Sequence, residues 1–266
     1  MKKLIMLVTV VLFVLALSAC KKDNTLKVGM ELLWPPFETI DSEGNPAGIS
    51  VDLAYALGEY LGRDVEIVDV PFGSLITALE TGEIDVIIGS MSITEERALK
   101  INFSEPYFYF PLITILNKDF NDSHSITSKE DLFGIDGVKF VGQKSFVSLS
   151  IPQAEALNPV ILEVNDANSA VLEVISGAAD AFIISASSAA GYQAANPDTT
   201  EILWSPIMLS PIGMGIAKEN TQLLSDVNDF IAGLETSGVY DMLREKYDDI
   251  IAEDLPGQGL DFYIYD

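Results

Sequence analysis

The sequence predicts an α/β fold with two similar lobes, each built around a parallel sheet. Short apolar segments alternate with helical patterns, which is typical of parallel sheets covered by helices. This alternation occurs twice along the chain. Two segments rich in aromatic, proline and β-branched residues, 107–116 and 204–216, lie at the junctions between the two runs. We therefore expect the chain to leave the first lobe once and to return to it once.

The first lobe contains three predicted strands, at 26–30, 65–70 and 84–89. The third is apolar except for Asp85, as expected for a strand buried on both faces. A helix lies between each pair of consecutive strands. We expect Ser50 to cap the first helix and Gly62 to end it. Ser74 and Gly82 should do the same for the second helix.

The second lobe repeats this order of elements, with strands at 139–142, 160–164 and 179–184 and helices at 148–157 and 168–176. Later helices carry an apolar stripe that should pack back on the first lobe, formed by Leu223, Val227, Phe230 and Leu234. The predicted boundaries are 26–110 with 212–255 for lobe 1, 111–211 for lobe 2, and 256–266 for an acidic, aromatic tail. The sequence assigns no role to this tail.

Residues 1–19 have the pattern of a signal peptide, with two lysines, an apolar run and small residues before Cys20. The end of this segment, Leu17–Cys20, resembles the lipobox of bacterial lipoproteins, in which the cysteine is acylated. Cys20 is the only cysteine, so a disulfide within the chain is excluded. We expect residues 20–25 to form a short tether and the mature protein to be lipid-anchored outside the cytoplasm.

The composition excludes several other kinds of site. The chain carries 40 acidic and 15 basic side chains, a net charge of −25 at pH 7. Such a charge repels nucleic acid, so we exclude that class of partner. His124, the only histidine, lies in a polar stretch that we expect to be an exposed loop. No carboxylate loop has calcium-binding spacing, and we expect neither a metal ion nor a cofactor.

The candidate ligand-binding residues follow from the fold class. Ligands of open α/β sheets bind beyond the carboxyl ends of the strands, and a cleft between lobes is a common pocket location. The residues that follow the predicted strands are Trp34, Phe72, Ser90, Ser92 and Arg97 in lobe 1, and Ser145, Phe146 and Ser185 in lobe 2. Asn168, near the start of a lobe 2 helix, is a further candidate side-chain contact.

Arg97 is one of only three arginines in the chain. Thr94 is a predicted helix N-cap, which places Arg97 in the first turn, where the helix dipole disfavours a cation. A guanidinium at the mouth of a cleft can bind a carboxylate with two parallel hydrogen bonds. The alternative is a surface ion pair with Glu95 or Glu96.

Seven segments in a fixed order carry a resemblance to a known family. They are WPPFE (34–38), GISVDL (48–53), FGSLI (72–76), GEIDVIIGSMSITEER (82–97), FSEPY (103–107), GAADA (177–181) and MGIA (214–217). Through them the chain, over about residues 26 to 250, resembles the family-3 extracellular solute-binding proteins of polar amino-acid ABC transporters. This resemblance implies the type II periplasmic-binding-protein fold, with a two-strand hinge between the lobes.

The resemblance also implies roles for individual residues. Arg97 matches the arginine that binds the α-carboxylate of the ligand. Ser90 and Ser92 match positions that contact its amine and carboxylate. Trp34 and Phe72 match the aromatic walls that enclose its side chain, although an ordinary half-buried position is the alternative for both.

Lobe 2 departs from the family pattern at two places. Ser185 stands where the family usually has the aspartate that pairs with the ligand ammonium, and a serine supplies no charge. Phe146 is an apolar residue where a hydroxyl is usual. Two interpretations follow. Either an amino acid binds with its ammonium held elsewhere, or the ligand is a carboxylate without an α-ammonium.

We therefore expect a monomeric solute-binding component of an ABC importer. It would capture an amino acid or a related small carboxylate between its lobes and deliver it to a membrane permease. One alternative is a ligand-sensing protein that reports to a separate receptor. The other is an enzyme, since related folds host dehydratases, but no Ser-His-Asp set can be assembled from this sequence.

Overall fold

The computed structural model describes residues 24–264, except for the side chain of Asp254. The predicted signal peptide (1–19), the lipidation site Cys20 and most of the tether lie outside the described residues, as do the last two residues of the tail. Among the described residues, no helix combines the length and the apolar character that a membrane span requires.

Lobe 1 is built around a five-stranded sheet. Its strands are β1 (Thr25–Met30), β4 (Asp64–Asp69), β5 (Val86–Ile87), β6 (Asn102–Phe103) and β12 (Gly215–Ile216). Their order across the sheet is β4–β1–β5–β12–β6. A small hairpin, β2 (Thr39–Ile40) with β3 (Pro46–Ala47), follows β1, and the helices are α1 (Ile49–Leu61), α2 (Leu75–Glu80) and α3 (Glu95–Ala98).

Lobe 2 contains the second five-stranded sheet. Its strands are β7 (Phe108–Asn117), β8 (Lys139–Gln143), β9 (Val160–Val164), β10 (Ala181–Ser185) and β11 (Thr200–Ile212). Their order is β11–β7–β10–β8–β9. The helices are α4 (Lys118–His124), α5 (Lys129–Gly134), α6 (Val147–Glu155), α7 (Ala167–Ser176) and α8 (Ala186–Ala195).

The two α/β lobes are as predicted, but both sheets are mixed and only part of each is parallel. The strands β8, β9 and β10 run parallel to one another, as do β1, β4 and β5. However, β7 is antiparallel to β10 and β11, and β12 is antiparallel to β5 and β6. The reason is the path of the chain, because β7 and β11 lie where it passes between the lobes in opposite directions.

The last part of the chain packs back on lobe 1, as the apolar stripe predicted. Helices α9 (Thr221–Ala232) and α10 (Val239–Asp254) follow β12, and the ring of Phe230 lies 5.5 Å from that of Tyr60 on α1. The tail then forms a 3-10 turn, Leu260–Tyr263. Tyr263 is fully buried, with its ring 5.0 Å from Phe37 and 5.2 Å from Phe110. These tail residues therefore belong to the core.

The predicted helix ends at Gly62 and Thr94 are confirmed, whereas that at Ser50 is not. Gly62 ends α1 in the left-handed conformation, and the hydroxyl of Thr94 accepts a hydrogen bond from the Arg97 backbone at the start of α3. Ser50 does not cap α1, because Gly48 occupies that position and the Ser50 hydroxyl donates to the Glu38 carboxylate instead. His124 is exposed as expected, but it ends the helix α4 and does not lie in a loop.

Candidate functional site

A cavity of about 60 Å³ lies between the two lobes. Its walls are mostly apolar and come from both lobes, with Phe37, Phe110 and Phe182 among them. A space of this size holds a few water-sized groups. An amino acid does not fit in it whole, so ligand binding here requires movement of the walls.

Glu38 is a carboxyl group in the wall of this cavity. The side chain is completely buried, and its Oε2 accepts hydrogen bonds from the hydroxyls of Ser50 (2.6 Å) and Ser90 (3.0 Å). Its other oxygen, Oε1, is buried and has no hydrogen-bond partner among the described residues. Burial raises the pKa of Glu38 to about 8, with a further contribution from the nearby Glu31 carboxylate.

Two more buried oxygens in the same walls are without partners in the described part of the chain. They are Oε1 of Gln143 and Oγ of Ser148, both from lobe 2. With Glu38 Oε1 they give the cavity three unsatisfied oxygens. The amide oxygen of Gln143 can only accept hydrogen bonds, and the same holds for Glu38 Oε1 when Glu38 is ionised. Such a set suits a ligand group rich in N–H donors, such as a guanidinium or an ammonium.

Glu31 connects the cavity walls to one another. Its carboxylate accepts hydrogen bonds from the indole nitrogen of Trp34 (3.1 Å) and from the backbone nitrogen of Phe72 (3.1 Å). The side-chain amide of Gln143 donates to both of its oxygens, at 3.1 and 3.3 Å. One buried acid of lobe 1 therefore orients two aromatic residues of its own lobe and binds a side chain of lobe 2.

Three aromatic rings close the cavity on one side. Phe146 of lobe 2 lies against Trp34 with ring centroids 5.2 Å apart and planes 25° apart. It also lies against Phe72, with centroids 3.9 Å apart. The Phe146 ring thus occupies the slot between the two aromatic residues of lobe 1.

Arg97 does not line this cavity. It lies in an adjacent recess of about 450 Å³, with Glu96 and Glu163 in the same walls. Its Nη1 donates to the Ser92 carbonyl (2.7 Å), and its Nη2 donates across the cleft to the Ser145 carbonyl (2.8 Å). Burial lowers the pKa of Arg97 to about 10, which leaves it cationic at neutral pH.

The other predicted residues fall into three places. Ser90, Ser92 and Ser185 line the cavity, where the Ser185 hydroxyl donates to Ser188 at 3.0 Å. Ser145 lies with Arg97 in the recess and has a positive φ of 70°. Asn168 lies in neither space. It is exposed beside another surface pocket, and its side-chain oxygen accepts a hydrogen bond from Tyr192 at 3.0 Å.

Glu31, Glu38 and Gln143 were not among the predicted site residues. Glu31 directly follows β1 and Gln143 ends β8, so both lie at the strand ends where ligands bind. For Glu31, the signal that the sequence offered was an acidic residue directly after a buried strand. Within residues 24–264, no group of three acidic, histidine or cysteine side chains is placed to hold a metal ion.

The sequence matches the model of the bacterial extracellular solute-binding proteins, family 3, over residues 26–249. An L-arginine-binding protein of Pseudomonas aeruginosa is 28% identical over 262 residues, which cover 93% of this chain and 96% of that protein. An L-cystine-binding protein of Escherichia coli is 26% identical over 236 residues, which cover 87% of this chain and 85% of that protein.

Solved structures agree with this match. An ancestral arginine-binding protein bound to arginine has a TM-score of 0.74 and 32% identity, covering 84% of this chain and 97% of that chain. An ancestral amino acid-binding protein, a precursor of cyclohexadienyl dehydratase, has a TM-score of 0.73 and 33% identity, covering 87% and 98%. These likenesses confirm the two-lobed type II periplasmic-binding-protein fold, and all four proteins are named for binding.

Proposed function

Because this chain belongs to the bacterial extracellular solute-binding proteins of family 3, we propose that it captures a basic amino acid between its lobes for an ABC importer. The observation that carries this proposal is the separation of a cation from a set of unpartnered hydrogen-bond acceptors. Arg97 lies in the recess, and the unpartnered oxygens of Glu38 and Gln143 lie in the cavity on the other side of the aromatic rings.

A ligand that uses both spaces needs a carboxylate at one end and a nitrogen-rich group at the other. The guanidinium of Arg97 suits the carboxylate because it can donate two parallel hydrogen bonds. The acceptors around Glu38 suit a distal cation. An α-ammonium is attached to the same carbon as the carboxylate, so with the carboxylate on Arg97 we expect it in the recess and the distal group in the cavity.

This arrangement bears on the missing lobe 2 aspartate. Ser185 supplies no charge, but the recess walls contain Glu96 and Glu163, which suit an α-ammonium beside Arg97. A carboxylate ligand without nitrogen would leave buried acceptors unsatisfied, at a cost of about 1–3 kcal/mol each. We therefore favour an amino acid over a simple carboxylate, and a long basic side chain over a neutral one. The arginine-binding relatives support the same choice.

The wider role follows from the predicted processing of the chain. Acylated Cys20 would hold the protein on the outer side of a membrane, where the two lobes collect the solute and present it to a permease. Closure would be favoured by contacts from the ligand to both lobes. The protein would act as a monomer without a cofactor.

Thermal unfolding against a panel of solutes tests the proposal. The panel contains the twenty amino acids, with sugars and nucleosides as controls. A solute at a hundred times its Kd adds about 2.7 kcal/mol to the free energy of unfolding. At about 2–4 °C per kcal/mol for a chain of this size, the midpoint should rise by roughly 5–10 °C. We expect arginine or lysine to do this, and a rise with sugars or nucleosides alone would contradict the proposal.

A further inference from the structure

Phe146 of lobe 2 packs across the cleft against lobe 1. It precedes helix α6, and its ring lies against Trp34 with centroids 5.2 Å apart and planes 25° apart, and against Phe72 with centroids 3.9 Å apart and planes 43° apart. A guanidinium or an aromatic ring placed between two aromatic faces makes the same kind of contact. The chain itself therefore fills this slot.

The same ring lies between the two spaces that the proposed ligand would use. Phe72, Phe146 and Val147 line both the cavity and the recess. Arg97 lies on the recess side of this partition, and Glu38 lies on the cavity side. A solute that contacts both groups has to displace part of this partition, in which Phe146 is the ring that lobe 2 contributes.

The neighbouring backbone also binds Arg97, which is the proposed partner of the ligand carboxylate. The Ser145 carbonyl accepts a hydrogen bond from Nη2 of Arg97 at 2.8 Å, in the position of a carboxylate oxygen. Ser145 adopts a positive φ of 70°, which is unfavourable for a residue with a side chain. The segment Ser145–Phe146 therefore offers one carbonyl to the arginine and one ring to the slot.

We propose that Phe146, with the Ser145 carbonyl, is an internal stand-in for the ligand and determines which solutes bind. This inference rests on the proposed function. A solute binds only by displacing the ring, so the site selects solutes whose own side chain replaces both aromatic contacts. A long side chain ending in a planar cation does so, whereas a short polar side chain leaves the slot empty. Only molecules with an open slot can bind. The competition therefore lowers the apparent affinity for every solute in proportion to the fraction of such molecules.

Isothermal titration of L-arginine and L-serine into the wild type and three variants tests this inference. Phe146→Ala empties the slot, Phe146→Leu keeps most of the volume, and Phe120→Ala removes a half-buried phenylalanine of lobe 2 away from the site. We expect Phe146→Ala to bind L-arginine at least tenfold more tightly than the wild type, with Phe146→Leu in between and Phe120→Ala unchanged. L-Serine should remain a weak ligand of the wild type. Equal or weaker binding of L-arginine by both Phe146 variants overturns the inference.

A second readout keeps this test separate from the test of the proposed function. In a Trp204→Phe background, fluorescence reports Trp34 alone, since the chain has two tryptophans. Phe146→Ala should shift the Trp34 emission in protein without solute, and L-arginine should shift the wild type in the same direction. If no amino acid binds any variant, the proposed function fails. If Trp34 emission is also the same in Phe146→Ala and Phe120→Ala, Phe146 does not fill the slot.

Discussion

The side-chain amide of Gln143 in lobe 2 donates hydrogen bonds to both carboxylate oxygens of Glu31 in lobe 1, at 3.1 and 3.3 Å. The same carboxylate holds the indole of Trp34 and the backbone of Phe72. All of these groups are buried or half-buried, so the bonds are sheltered from water. One acid thus orients two aromatic walls of the site and contributes one of the contacts between the lobes.

Replacement of Gln143 by alanine should destabilise the protein. The variant removes a buried hydrogen bond to a charged group, which is worth about 1.5–3 kcal/mol. Denaturant unfolding measures the change in the free energy of unfolding. Gln222→Ala is the matched control, because Gln222 donates to Asp226 in an exposed pair on α9. That variant should change the stability by about 0.5 kcal/mol or less, and an equal loss in both variants would contradict our assignment.

Glu38 should make the stability depend on pH. Its folded pKa of about 8 lies above its ordinary value of 4.5, so the folded state binds the proton more tightly than the unfolded state. Its contribution is fully present below about pH 4.5 and is lost as the pH rises to about 8. The slope between these values is at most about 1.4 kcal/mol per pH unit.

Glu38→Gln should remove this slope, so the variant should gain stability over the wild type as the pH rises from 5 to 8. Denaturant titrations at several pH values measure the difference. Glu43→Gln, an exposed acid between β2 and β3, controls for the loss of one negative charge. A constant difference between Glu38→Gln and the wild type at all pH values would show that Glu38 titrates normally.

Ser145→Gly should stabilise the protein, because glycine adopts the positive φ of this position without a steric penalty. We expect a gain of about 0.5–1 kcal/mol in the free energy of unfolding. Ser150→Gly, at an exposed position inside α6, should instead lose about 0.5–1 kcal/mol. Thermal or denaturant unfolding distinguishes the two, and a loss in Ser145→Gly would show that its backbone is not strained.

Arg97→Ala should weaken the binding of a basic amino acid by a factor of about 30 or more. Truncating one partner of a buried charged pair costs about 2–5 kcal/mol in binding free energy, and the lower value corresponds to a factor of about 30. Arg63→Ala is the matched control, because Arg63 pairs with Asp85 at 3.1 Å outside the cleft. Isothermal titration should show unchanged affinity for that variant. Unchanged affinity in Arg97→Ala would show that the ligand carboxylate does not bind in the recess.

The sequence predicted those features that local signals determine. The two lobes were predicted correctly because apolar segments alternate with helices. Arg97 became a candidate because it stands at an unfavourable place in a helix, and its role in binding stays a prediction. The third strand of lobe 1 is much shorter than predicted, Val86–Ile87 within a predicted strand of six residues that is apolar except for Asp85. Apolar character reports burial, and it does not report how many residues pair in a sheet.

The features that were missed depend on contacts between distant segments. Glu31 and Gln143 are 112 residues apart, and no periodicity brings them together. The position of Phe146 against lobe 1 depends on the angle between the lobes, which the sequence does not encode locally. The burial of Tyr263 likewise required the tail to reach the core beside Phe37.

The most direct test of the central claim is isothermal titration of the wild-type protein with L-arginine, agmatine and L-citrulline. Agmatine lacks the carboxylate that Arg97 would bind. Citrulline keeps the carboxylate and the length, but it replaces the guanidinium near Glu38 with a neutral urea group. We predict that L-arginine binds at least tenfold more tightly than both analogues. Equal binding of agmatine would contradict the role of Arg97, and equal binding of citrulline would contradict a cation site at Glu38.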